Sequence, residues 1–226
     1  MMSFLLGAKT EVKSWTNPYA TDGLVAYWDG EWNAGGGFHD ASATKWTDLV
    51  GGGGSIPIAE NYSWDAKALV HNSAGNIIFC ENDISEFVQV EYVCEIPNVV
   101  NAEYFGIGSE AVKSVGAVYW GNGVGISRRG NGTNTGFNTN YFSSASISAV
   151  AALNVTSAYI NGVSTSGTIG SASSLANNHQ YRWSIGGERY HPATQFKLKC
   201  VRIYNRALTE QEIAANYAVD ARRFGL

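Results

Sequence analysis

From residue 24 onward the chain alternates short apolar runs with clusters of Gly, Asn and Ser, the punctuation of an antiparallel β protein. The pattern predicts strands over 24–28, 68–70, 77–79, 87–96, 104–107, 115–119, 124–127, 145–153, 156–160, 181–185 and 195–204. The run 87–96 carries the most information. Val88, Val90, Tyr92, Cys94 and Ile96 fall on one face, and Gln89, Glu91, Val93 and Glu95 fall on the other. This period of two predicts a strand with one face on a core and the other facing water or a groove.

Two shorter signals fix local geometry. Asn161-Gly162 stands between apolar flanks, and both residue types accept the positive φ angles of a type I′ turn, so a tight hairpin is expected. Thr209-Glu210-Gln211-Glu212 has the spacing of a capping box, with a hydroxyl at the N-cap and a carboxylate at N3. It predicts one short helix of about ten residues, with Ile213 and Tyr217 one turn apart on the docking side. Many strands and a single terminal helix imply two packed antiparallel sheets. Residues 1–20 read as an extended arm with Trp15 and Tyr19 as anchors, and 21–226 as one domain.

Two segments taken together resemble a known family. Near the start stands Asp22-Gly23-Leu24-Val25-Ala26-Tyr27-Trp28-Asp29-Gly30, followed by Trp46-Thr47-Asp48-Leu49-Val50-Gly51. Near the end stands Val201-Arg202-Ile203-Tyr204-Asn205-Arg206-Ala207-Leu208, running into the capping box and Ile213. These resemble the opening and closing motifs of laminin-G-like domains of the concanavalin A-like lectin/glucanase superfamily, of the type found in bacteria and bacteriophages. The Tyr159-Ile160-Asn161-Gly162-Val163 hairpin is similar to that family's strand pair. The resemblance implies an all-β jelly-roll sandwich of two antiparallel sheets with one short C-terminal helix. It implies function only loosely, because lectins, adhesion domains, glycosidases and virion parts share the fold.

Composition and charge exclude several classes. The 15 basic and 19 acidic residues give a net charge of −4, which argues against a binder of nucleic-acid backbones. No stretch approaches the roughly 20 apolar residues of a membrane span. The first nine residues lack the basic start and long apolar centre of a signal peptide, so cytoplasmic synthesis is the expectation. Cys80, Cys94 and Cys200 are odd in number, far apart and set in apolar runs, which predicts buried free thiols.

Reactive chemistry is thinly represented. Glycosidases of the superfamily carry a strand motif of the form Glu-x-Asp-x-Glu. Here Glu91-Tyr92-Val93-Cys94-Glu95 keeps the outer carboxylates, but a valine replaces the central aspartate. Retaining hydrolysis needs its two carboxyls about 5–5.5 Å apart, and Val93 supplies neither charge nor hydrogen bond. A non-enzyme is therefore expected, with these glutamates on a solvated face. Gly51-Gly52-Gly53-Gly54 lacks the Lys-Ser/Thr of a phosphate loop and reads as a flexible turn. Gly121-Asn122-Gly123 reads as a hairpin, and the four histidines show no ligand spacing. No cofactor is expected. Relatives of this fold often hold a structural calcium, for which Asp29, Asp40, Asp48 and Asp65 would be the oxygen donors, although turn and capping roles suit them better.

Sugar recognition needs flat aromatic faces beside groups that read hydroxyls. The loops offer Trp32-Asn33 with Phe38-His39-Asp40, then Trp120-Gly121-Asn122, Arg128-Arg129 and Arg189-Tyr190-His191. Trp32, Trp120, Asn122, Arg128 and Tyr190 are the candidate carbohydrate-binding residues. Trp28, Trp46, Trp64 and Trp183 lie in or beside apolar runs and are expected in the core or at its rim. The expectation is a non-catalytic binding or structural module on a bacteriophage virion surface, touching host or mucosal glycans. Its other partners would be further virion proteins or copies of itself. A carbohydrate-binding module of a bacterial protein is the alternative, and a glycoside hydrolase the third.

Overall fold

The computed structural model describes residues 15–73, 77–84, 86–97, 103–109, 112–119, 124–130, 133–136, 146–152, 158–165, 182–186 and 195–226. The strands are β1 (Leu24–Asp29), β2 (Lys45–Trp46), β3 (Ile56–Pro57), β4 (Tyr62–Trp64), β5 (Leu69–His71), β6 (Ile78–Phe79), β7 (Gln89–Glu95) and β8 (Glu103–Ser109). They continue as β9 (Val112–Tyr119), β10 (Val124–Gly130), β11 (Thr133–Gly136), β12 (Ser146–Ala152), β13 (Ala158–Ile160), β14 (Val163–Thr165), β15 (Arg182–Ile185) and β16 (Phe196–Tyr204). Helix α1 (Glu210–Phe224) follows.

The strands form two main antiparallel sheets. One runs β14-β13-β12-β7-β16-β5-β4, with β1 also paired to β16, and the other runs β11-β10-β9-β8-β15-β6. β16 is the hub of the first. One edge pairs with β7 along its length, while the other is shared by β5 at Phe196–Leu198 and β1 at Cys200–Tyr204. A register shift between Leu198 and Cys200 leaves Lys199 as an extra residue, a bulge that re-aims the second half of the strand.

The interior between the sheets is apolar and aromatic. Ala26 and Trp28 of β1, Val90, Tyr92 and Cys94 of β7, Phe105 and Ile107 of β8, Trp183 and Ile185 of β15 and Leu198, Val201 and Ile203 of β16 are all buried in one cluster. Each fully buried large side chain contributes on the order of 2 kcal/mol. Rings meet edge-on or tilted, as at Tyr92–Phe105, where the centroids lie 5.0 Å apart. Trp28, Trp46 and Trp183 are fully buried and Trp64 packs against the same cluster, as their sequence context predicts. The three cysteines are free and buried. Burial pushes the Cys80 thiol up to about 12, and Cys94 and Cys200 are raised for the same reason.

Three expectations need correction. The second face of β7 does not meet water, because Gln89, Glu91 and Val93 are buried and only Glu95 is partly open. Helix α1 lies over that face and is 15 residues long, not about ten. The glycine run 51–54 is not a loose turn. Asp48 accepts from the Val50 and Gly53 amides, and the Trp28 indole donates to the Gly54 carbonyl at 3.0 Å. A Cβ on Gly53 would lie 2.4 Å from the Trp28 ring, so only glycine lets the run lie this close.

The helix is specified at both ends. Thr209 and Glu212 complete the reciprocal capping box. Gly225 takes the left-handed conformation and returns its N–H to the Ala221 carbonyl. The Asn161-Gly162 turn has φ of 50° and 73°, as a type I′ hairpin requires. It is also wedged against α1, since a Cβ on Gly162 would stand 2.6 Å from Tyr217 Cδ1.

Gly162→Ala therefore combines a left-handed backbone with a collision and is expected to lower unfolding free energy by about 2–4 kcal/mol in urea titrations. An unchanged midpoint would mean that the hairpin does not bear on α1.

Candidate functional site

The surroundings of Glu91 leave no room for substrate. It is 1% exposed and its Oε2 accepts from Arg202 Nε at 2.9 Å and from Asn216 Nδ2 at 2.8 Å. Burial pushes its carboxyl above the ordinary value, with Arg202 pulling the other way. Glu95, four residues on and on the same face, is partly open. The two carboxylates thus sit in different environments and share no cleft.

Arg202 organises this region. Its other two nitrogens make a two-pronged contact with Asp220 of α1, at 2.8 and 2.7 Å. Its guanidinium lies 3.8 Å from the centre of the Tyr19 ring. Burial opposes its charge, but Asp220, Cys200 and Glu91 outweigh that and hold its pKa above the ordinary arginine value. Asn216 ties in the N-terminal segment by accepting from the Ala20 amide at 3.0 Å. Tyr19 donates to Asp220 and accepts from Arg223, each at 2.8 Å. Tyr19 is thus buried, and Trp15 partly so, in the layer between α1 and the outer face of its sheet, apart from the inter-sheet core.

Arg223 builds a second node beside the first. It pairs with both oxygens of Asp29 at 2.8 and 2.9 Å and with Glu31 at 2.7 Å. It also covers Trp32 at 4.0 Å from the ring centre, while Trp15 meets the same indole at 76°. Trp32 therefore serves as a half-buried anchor between the helix end and the N-terminal segment.

Of the other candidate sugar residues, Trp120, Asn122 and Tyr190 lie outside the described residues. Arg128 is within strand β10, its backbone paired with Val115 and Thr135, and not in a loop. Gly121-Asn122-Gly123 joins strands that do pair antiparallel, Tyr119 with Val124.

The four candidate calcium donors are dispersed. Asp29 holds Arg223, and Asp48 caps the glycine run. Asp40 accepts from the Ser42 amide and hydroxyl, and Asp65 pairs with Lys197 at 3.0 Å. Among the described residues no group of three or more His, Cys, Asp or Glu side chains could hold a metal ion.

The loop after Trp32 is a different kind of surface. Asn33 is buried and clamps it, donating to the Asp40 carbonyl and accepting from the Asp40 amide, both at 2.8 Å. Gly35, Gly36 and Gly37 all have positive φ, which turns the chain back on itself. At the tip Phe38 is 64% exposed.

Comparison with known proteins agrees with this architecture. The family model for the concanavalin A-like lectin/glucanases superfamily matches residues 102–214, half of the chain. The chain belongs to that superfamily. Among solved structures it is similar to Trypanosoma rangeli sialidase, at 16% identity and a TM-score of 0.67, covering 91% of this chain and 34% of that one. The chain thus spans about a third of that enzyme's length. It is also similar to domain 4 of AbnA, a GH43 extracellular arabinanase from Geobacillus stearothermophilus solved in complex with arabinotriose. There the identity is 15% and the TM-score 0.64, covering 86% of this chain and 98% of that one. These likenesses are of fold. No curated protein sequence matches the chain significantly.

Removing Arg202 strands two buried carboxylates, so Arg202→Met is expected to cost about 3–5 kcal/mol in chemical denaturation. A loss below about 1 kcal/mol would show the pairs to be dispensable. At the exposed end of α1, Arg206 and the Thr209 amide hold the Glu212 carboxyl down at about 2, against an ordinary value of 4.5. A lowered carboxyl stabilises the fold fully above its unfolded pKa and loses that contribution as pH falls through the folded one. Hydrogen-exchange protection in the first turn of α1, measured against the intrinsic rate at each pH, should therefore fall between pH 4.5 and 2. Glu212→Gln should remove that pH dependence.

Proposed function

We propose that the chain is a non-catalytic carbohydrate-binding module. The observation that carries this reading is Glu91. A carboxylate ion-paired and closed over by a helix cannot protonate a glycosidic oxygen or attack an anomeric carbon, each of which requires contact with the sugar. The superfamily contributes the second argument, since domain 4 of AbnA has the same fold and holds arabinotriose. Outer faces and loops remain as the working parts, which suits recognition better than reaction.

A virion-surface setting is the more specific reading, with residues 1–20 attaching to neighbouring subunits. Trp15 and Tyr19 are engaged inside their own domain, at Trp32 and Asp220, which leaves that part of the arm little to offer a neighbour.

A glycan array with and without EDTA, run alongside a reducing-sugar assay, tests the proposal. The expected result is saturable binding with no sugar released. Turnover of any polysaccharide, or an array with no bound glycan, would overturn it. Signal lost in EDTA would add a calcium to the mechanism of binding.

A further inference from the structure

We infer that the loop from Asn33 to Ser42 is a preformed contact site for a neutral oligosaccharide, with Phe38 as its platform and His39 and Asp40 as its polar readers. This rests on the module reading above and names the place where it operates.

Rigidity comes first. The Ala34 amide donates to the Phe38 carbonyl at 3.2 Å, the Phe38 amide to Gly35 at 3.0 Å, and the Ala43 amide to Asp40 at 3.1 Å. Asn33 clamps both backbone groups of Asp40 from beneath. Trp15 packs against the loop at Gly37, where an added Cβ would be 3.3 Å from the tryptophan Cβ. A loop held at this many points loses little entropy when it binds. Yet it holds a phenyl ring 64% exposed to water, which folding alone does not favour.

The polar groups beside the ring are oriented too. His39 Nδ1 is 2.9 Å from the buried Gly30 carbonyl, so Nδ1 bears a hydrogen and donates it, which fixes the ring and leaves Nε2 for an external partner, as an acceptor in the neutral imidazole. Asp40 Oδ1 takes both Ser42 contacts, at 2.8 and 2.6 Å, and Oδ2 remains for an external donor. Phe38, His39 and Asp40 are consecutive and all exposed, and an aromatic ring with two acceptors next to it in the chain suits a sugar, with its C–H surface and its ring of hydroxyl donors. Those same Ser42 bonds keep the Asp40 carboxyl below its ordinary pKa. The fixed negative charge selects neutral sugars over sialylated ones.

The experiment titrates the full chain with arabinotriose, cellotetraose and 3′-sialyllactose, following amide shifts by NMR. At least one neutral sugar should bind, and 3′-sialyllactose should bind more weakly. Phe38→Ala should weaken neutral-sugar binding about tenfold or more without moving the melting temperature. Val163→Ala, an equally exposed apolar residue on strand β14 in a different part of the chain, should leave binding unchanged. Asp40→Asn should narrow the gap between neutral and sialylated sugars. Neutral-sugar binding that survives Phe38→Ala would remove this site while leaving the module reading in place. A preference for 3′-sialyllactose would overturn the charge selection. Absence of binding to all three, together with a blank glycan array, would remove site and module reading together.

Discussion

A single guanidinium without water around it dictates how the ends of this chain meet the middle. Arg202 is central in β16, the hub of its sheet, and points away from the sandwich interior. It can stay charged there only if carboxylates come to it, from Glu91 on the neighbouring strand and Asp220 on the helix. Asp220 sets the height and rotation of α1, Asn216 fixes the passing N-terminal segment, and Tyr19 closes the remaining side. Apolar packing gives the two sheets their affinity for one another. The ion cluster gives the outer layer its one arrangement, because a displaced helix would leave a desolvated charge behind.

Glu91, Arg202 and Asp220 are turned inward, where they hold the helix in place. Arg223 repeats the theme, joining Asp29 and Glu31 while shielding Trp32. What faces outward in the same corner is the bent loop with its phenyl ring.

Much of the sandwich was legible because local signals and tertiary structure agree. Period-two alternation located β7, Asn161-Gly162 located the hairpin, and Thr209 with Glu212 located the start of α1. The same alternation misled at Gln89, Glu91 and Val93, since a polar face looks alike whether water or another polar layer covers it. The clue lay in the helix. Ile213, Asn216, Asp220 and Arg223 fall at three- and four-residue steps, a docking stripe in which most members are polar. The two-residue strands β2 and β3 were missed because Lys45-Trp46 and Ile56-Pro57 each pair one apolar residue with a Lys or a Pro, whereas the equally short β6 sits in the apolar run Ile77-Ile78-Phe79. The glycine run was misread for a related reason, since glycine signals looseness by composition but closeness when an indole lies against it.

The three free cysteines give this architecture a chemical temperament. Each thiol is enclosed and its ionisation suppressed, so oxidants and electrophiles find no ionised thiol to attack while the fold is closed. The sandwich is therefore indifferent to redox surroundings for as long as it stays closed. Its sensitivity to oxidation becomes a property of how often it opens, governed by the same buried charges that seat the helix.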